Sequence, residues 1–424
     1  QEGFLFTDVV AVSPRTVPLF IPDKVPGVGL DPTAEAADVG ILNIRSVYDV
    51  DGVEFTPAYT TAVPDIATMA DPGATLAADR PALFLRLVKS VGMPDNDTRQ
   101  IPGTAFGASA QQLMREIVGY VPIQPDGSVR AYVPANVPLA ISVVDASGRR
   151  ITARHQNWLQ LKPGEEVTCN GCHDHASGTP HGHPEAPVSA YAGAPAMGFP
   201  NTALRDQMGN PVAVAVNFQE TMAETITRGL PDTLYPSIDP EYFDYWTDPV
   251  VRAPDMGFDL SYGALNTATP ATAACASGTP PAPPWTSLCR SVIHYETHIH
   301  PLWNVPRGAN TCTGCHTTAN NTVVPDGQLE LTDGPDALVP QHFNAYRELL
   351  FTDDELELGA MGLQVRMIPG PPDPITGLPT MVPAQVSPSM SAAGALASSA
   401  FFSRFATGGT HDGFLTPEEL RLLA

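Results

Sequence analysis

The stretch GYVPIQPDGSVRAYVPANVPLAISVVDASGRRITAR, residues 119–154, decides the fold. Ser128–Val133 and Leu139–Asp145 are short runs of strand length in a compact β pattern. Pro125-Asp126-Gly127 and Ala146-Ser147-Gly148 separate the runs, and both carry the residue types that tight turns require. With flanking strands over Gly119–Ile123 and Arg149–Arg154, the pattern predicts a small antiparallel β-sandwich.

Upstream, Gly40–Asp49 alternates and turns at Asp51-Gly52, Ala82–Lys89 reads as a strand, and Ala108–Val118 as a short helix. Residues 174–290 read mostly as loop, with an apolar island at Val212–Val216. The aromatic cluster Tyr242, Phe243, Tyr245 and Trp246 is expected to cover loops or cofactor edges, because no basic groove accompanies it. Pro340–Thr352 and Thr416–Ala424 read as amphipathic helices, the second opened by an N-cap threonine and a proline at the first helical position. The expected fold is mainly β with α+β elements: a sandwich-like N-terminal and middle region, loop-rich cofactor regions and a small helical domain at the C-terminus. Three domains are expected: a β-rich unit over 1–118, the sandwich module with the loop-rich region after it over 119–290, and a small C-terminal domain over 291–424.

Directly beyond the sandwich pattern stands Cys169-Asn170-Gly171-Cys172-His173, and further on Cys312-Thr313-Gly314-Cys315-His316. Both are C-x-x-C-H, the attachment signature of c-type haem. Two thiols three positions apart can each form a thioether to one vinyl group of the same porphyrin, and the next histidine is held beneath the iron. A zinc site would need the two cysteine pairs to meet, and would leave the histidine after each pair unexplained. The expected cofactors are therefore two covalently bound haem c groups, the first in the 119–290 module and the second in a C-terminal cytochrome c domain over 291–424. The remaining cysteines, Cys275 and Cys289, have no histidine after them and flank a proline-rich stretch, as expected of a disulfide in an exported chain.

The compartment follows from the motifs, since haem is attached to C-x-x-C-H outside the cytoplasm. The chain starts at Gln1 without a basic or apolar leader, which reads as a mature secreted chain with its signal peptide removed, periplasmic or extracellular. No run of 18 apolar residues occurs, so no membrane span is expected. The net charge of −23 with only three lysines, Lys24, Lys89 and Lys162, disfavours nucleic acid and anionic lipid. It suits a cationic redox partner or an extracellular electron acceptor, or serves solubility alone.

Three strings resemble one family: Val121–His173, Tyr295–His316 (YETHIHPLW…ANTCTGCH) and Phe401–Ala424 (FFSRFATGGTHDGFLTPEELRLLA) are similar to proteins related to the hydrazine synthase alpha subunit. The resemblance runs over roughly residues 40–424; many relatives add an N-terminal β-propeller, for which this chain has neither room nor a blade repeat. It implies a β-rich middle domain holding one haem and a C-terminal cytochrome domain holding the other. In the hydrazine-forming enzyme, a tyrosine four positions after the first motif histidine ligates iron and that histidine turns to zinc. Ser177 holds this position here, so His173 is expected to be an ordinary haem ligand.

His173 and His316 supply one axial ligand each, and nine other histidines remain. For the second haem His411 is expected, in the bendable loop Gly408-Gly409-Thr410-His411-Asp412-Gly413, and its counterpart in the resembling family has that role. Met390 is the alternative, with a higher potential. For the first haem the candidates are His155, His183 and His298, with His181 and His300 beside the last two. His175, His181 and His183 could instead hold a zinc, or form a surface cluster without metal. A calcium loop through Asp412, Gly413 and Glu419 fails because Gly408 and Thr410 occupy its early acidic positions. The expected function is electron transfer between two bis-His, low-spin haems, without catalysis. Two other readings remain: a haem enzyme of nitrogen-compound or peroxide chemistry, hydrazine synthase-like, and a subunit that self-associates into an extracellular cytochrome filament.

Overall fold

The computed structural model describes residues 23–54, 65–112, 114–174, 187–272, 274–275 and 285–424. They form a mixed α+β chain, mostly small sheets with short helices.

Six strands make the central body: β1 (Val39–Ile44), β2 (Phe84–Ser90), β3 (Arg115–Pro122), β4 (Val129–Pro134), β5 (Leu139–Val144) and β6 (Glu166–Cys169). They form two three-stranded sheets, ordered β6-β1-β4 and β3-β2-β5. β4 runs antiparallel to β1, with Val39 opposite Pro134 and Ile44 opposite Val129. β6 runs parallel to β1, ending with Cys169 opposite Ile44. In the other sheet β2 is central, with Phe84 opposite both Pro122 and Val144. The two sheets share one buried cluster that includes Ile41, Ile44, Leu85, Leu87, Val121, Val129, Val133 and Val143. Leu85 and Leu87, and Val129 and Val133, fall at even spacings on one side of their strands, whereas β1 is buried at every position.

The strands expected around 40–49, 82–89, 128–133 and 139–145 are present with shifted ends. The helix expected over Ala108–Val118 is not. A 3-10 segment, Gly103–Gln112, stops before Arg115, and β3 takes over. Ile117 and Val118 are β-branched, and pairing along the length of β2 outweighs the local helical pattern. No strand forms over 149–154, where Arg150 alone bridges Val144, nor over 212–216, beside which Pro211 bridges Arg205. The boundary expected at 118/119 falls inside β3, and both sheets draw strands from either side of it.

Helix α1 (Met222–Gly229) docks on this body through a capping box between Thr221 and Glu224. Its first N–H groups also donate into the body, Met222 to Asp126 Oδ2 and Ala223 to Ser128 Oγ, each at 2.8 Å. Cys275 and Cys289 are joined as a disulfide, with Cα atoms 4.8 Å apart. A loop of this size contributes about 3 kcal/mol in the chain-entropy account.

The C-terminal region has a second core around Leu302, Trp303, Leu349, Phe402, Leu415 and Leu422. It carries helices α2 (His300–Asn304), α3 (Cys312–Cys315), α4 (Asn344–Leu350), α5 (Ser399–Phe402) and α6 (Pro417–Leu423). It is not purely helical: hairpins pair Leu356–Gly359 with Gly362–Val365 and Met367–Pro372 with Pro379–Pro383. α6 starts where expected, with Thr416 as N-cap and a capping box to Glu419. Among the described residues no helix is long and apolar enough to cross a membrane.

Candidate functional site

The two C-x-x-C-H motifs occupy different kinds of backbone. The first closes β6. Arg45 N–H donates to Cys169 O at 2.9 Å, Cys172 N–H to Asp49 O at 2.7 Å, and Asp51 N–H to Cys172 O at 3.0 Å. A Cβ at Gly171 would come within 2.4 Å of Asp49 O, so the middle of this motif requires glycine. Burial, then neighbouring Cys169, Asp49 and Asp51, push the Cys172 thiol up to about 12. His173 projects outward and is exposed. His155 is half-buried, its Nδ1 has no hydrogen-bond partner, and it sits close enough to His173 that each charge opposes the other. Burial is the larger cause holding His155 below its ordinary pKa.

The second motif is the helical turn α3. Cys312 is half-buried and Cys315 exposed, and both thiols are free. Arg307, just before the turn, donates to Leu302 O at 2.7 Å and forms a 2.6 Å ion pair with the buried Glu419 of α6. This ties the motif to the terminal helix. His316 directs Nδ1–H to Leu329 O at 3.2 Å. Its ring faces His411, with centroids 6.0 Å apart and planes 26° from parallel. The loop bearing His411 depends on its glycines: Gly408 has φ +78°, and a Cβ at Gly409 would come within 2.3 Å of Arg404 O. His411 N–H donates to Arg404 O at 2.8 Å, and its Nδ1 lies 2.9 Å from Thr410 Oγ1. Phe405 and Phe414 flank the ring, with centroids at 5.5 and 5.0 Å. Burial, then His316 and Arg404, hold His411 below the usual histidine pKa.

This pair suits a shared metal centre. Both Nδ1 atoms are engaged, which leaves both Nε2 atoms available, the usual second-sphere pattern for ligating histidines. Two metal–imidazole bonds of about 2 Å, with about 1 Å from each nitrogen to its ring centre, place the centroids about 6 Å apart.

The other candidates have local partners. His298 Nδ1 accepts from His294 N–H at 2.9 Å, which puts the proton of its neutral form on Nε2. His300 Nε2 pairs with Asp333 Oδ1 at 2.5 Å, and His342 Nε2 donates to Thr104 O at 2.8 Å. Met390 packs against the C-terminal core. His175, His181, His183 and Ser177 lie outside the described residues. Among the described residues no group of three or more His, Cys, Asp or Glu is arranged to hold a metal ion. Asp412 accepts from Gly408 N–H, and Glu419 is taken up by Arg307 and its own N-cap.

Motif reading missed a cluster of arginines beside the first motif: Arg86, Arg115, Arg150 and Arg154 oppose one another's charge. Its signal was the basic run Arg149-Arg150-Ile151-Thr152-Ala153-Arg154 in an acidic chain. A cavity of about 1070 Å³, lined by Tyr235, Glu241, Phe243 and Tyr245 among others, contains no residue of either motif and no histidine.

Residues 85–174 match the family model of the hydrazine synthase alpha subunit middle domain. That stretch spans sheet β3-β2-β5, the arginine cluster and the first motif. No curated protein matches the chain. Among solved structures, Kuenenia stuttgartiensis hydrazine synthase is similar at 14% identity and a TM-score of 0.34, over 74% of this chain and 33% of that one. The chain thus spans about a third of the length of that solved chain.

Proposed function

We propose that this chain is an exported dihaem c-type cytochrome, periplasmic or extracellular, that transfers electrons to a redox protein or an extracellular acceptor. The observation that carries the reading is His316, directly after Cys315, with the ring of His411 brought to 6.0 Å from it. Bound at these motifs, haem supplies one-electron chemistry. The residues supply the rest: Cys169, Cys172, Cys312 and Cys315 are the attachment points, and His173 and His316 the axial ligands on the motif side. His411 closes the second site from the far side, with Phe405 and Phe414 keeping water from its ring. A histidine on each side favours low-spin iron and a lower potential than a histidine–methionine pair. His155, with its unpartnered Nδ1 beside His173, is the far-side ligand we assign to the first haem.

A second reading has its own support. The family-model match covers the first motif, and there a far-side position left open would make that site a haem enzyme of hydrazine synthase-like chemistry.

The test is the intact mass and the optical and EPR spectra of protein produced with c-type maturation. Two haem masses retained after denaturation, with low-spin signals only, are expected. Colour removed by acid–acetone, or zinc in place of iron, overturns the cytochrome reading. A high-spin fraction that binds CO at the first site favours the enzyme.

A further inference from the structure

Sheet β3-β2-β5 turns one face to the central core and gathers arginines on the other. Arg86 stands opposite Tyr120 on β3 and Ser142 on β5. Four positions along β2, past a register shift between Leu87 and Val88, Ser90 faces Arg115; two positions along β5 from Ser142, Val144 bridges Arg150. Cross-strand partners share a face, as do alternate residues along a strand, so Arg86, Arg115 and Arg150 lie on one side of the sheet. Arg154 joins them closely enough to lower the pKa of both Arg115 and Arg150. Burial, then Arg86, Arg154 and Arg115, bring Arg150 down to about 10.

A solvated arginine needs no partner, but these four side chains are half-buried. Among the described residues no carboxylate pairs with Arg86, Arg150 or Arg154. Arg86 Nε and Arg154 Nη1 are enclosed without a hydrogen-bond partner. Gathering like charges in partial burial is unfavourable unless an anion completes the group. The chain has 45 acidic residues against 22 basic ones, so the lack of an acid paired with Arg86, Arg150 or Arg154 among the described residues is not for want of supply. Arg115 lies over Trp158 at 4.8 Å and acts on His155, which also feels His173, so the Arg115 end of the cluster approaches the first motif, while Arg150 Nη2 donates to Ala393 O.

We propose that Arg86, Arg115, Arg150 and Arg154 form a carboxylate-binding site that takes the propionates of the macrocycle attached at Cys169 and Cys172. Guanidinium N–H groups bind carboxylates, and the unpartnered Arg86 Nε and Arg154 Nη1 are donors of that kind. The inference rests on the cytochrome reading above.

The test compares the holoprotein with Arg150→Gln and with Arg86→Gln/Arg154→Gln, by intact mass and redox titration, taking the first haem as the one unaffected by His411→Ala. Both haems should remain attached while the midpoint potential of the first shifts down, because lost positive charge disfavours the added electron. The Arg86→Lys/Arg154→Lys protein should recover most of that shift. Two haems with an unchanged first potential overturn the arginine assignment alone. Absence of haem on the Cys169–Cys172 peptide overturns the cytochrome reading and this inference with it. Inorganic phosphate should leave the melting temperature of the holoprotein unchanged; a phosphate-dependent rise marks a site for free anions and refutes the propionate assignment.

Discussion

Arg421 donates from Nη1 to Asp239 Oδ1 at 2.7 Å, and the two side chains are 1% and 2% exposed. The guanidinium also lies 3.6 Å from the ring centre of Tyr262 and 4.8 Å from that of Tyr120. Burial works against its charge, but Tyr120, Tyr262 and Asp239 together hold its pKa above the ordinary arginine range. The contact pins the C-terminal helix to the central body. Arg421→Met leaves Asp239 buried without its cation and should cost about 3–5 kcal/mol in denaturant unfolding. Arg421→Met combined with Asp239→Leu should recover a large part of that loss. A single-variant loss below about 1 kcal/mol would show that the pair is immaterial to stability.

His411→Ala should open one coordination position. Half of the haem absorption should move toward high spin and become CO-reactive, while intact mass still reports two haems. His411→Met should keep the position closed and raise that potential. Unchanged spectra and CO reactivity in His411→Ala would send the search for the ligand to Met390 or His342.

Peptide mapping without reductant should recover Cys275 and Cys289 as one linked pair. The Cys275→Ala/Cys289→Ala protein should lose about 3 kcal/mol of unfolding free energy. Alkylation of both thiols in protein never exposed to reductant is the result that excludes the bond.

Glu348 should make stability depend on pH. Burial, then the hydrogen bond and charge of Asp353, push its carboxyl up to about 9, Glu330 repels it further, and only the Glu330 N–H pulls the other way. An unfolded glutamate titrates near pH 4.3. Between those values the folded chain holds a proton that the unfolded chain has released, so this contribution is complete at low pH and falls as pH rises toward about 9. Glu348→Gln should flatten the decline in urea midpoint across that window. Parallel slopes for the two proteins would refute the assignment.

Where local pattern and tertiary pairing agree, the sequence was a good guide. Alternation located β1, short apolar runs bounded by turn residues located β2, β4 and β5, and Thr416-Pro417-Glu418-Glu419 located α6, because cap chemistry is local. It failed where distant partners decide. Arg115–Pro122 follows β2 and not its own helical pattern, and β6 lies parallel to β1 across more than a hundred residues, a pairing no local turn announces. In the candidate site the cysteines and their histidines were legible from spacing. The His316–His411 separation and the arginine face were not, since both depend on which loop and which strand face are brought together.

The contrast between the two motifs also sets an order of events in biosynthesis. Cys172 is stitched between Asp49 and Asp51 and keeps its proton at neutral pH, so a reagent that needs a thiolate finds it inert once β6 has joined β1. Cys315, on its short exposed turn, stays within reach of a reagent after folding. Covalent chemistry at Cys172 is therefore favoured in the nascent or partly folded chain. Chemistry at the second can wait, and a lapse in timing would produce molecules modified at Cys312 and Cys315 alone.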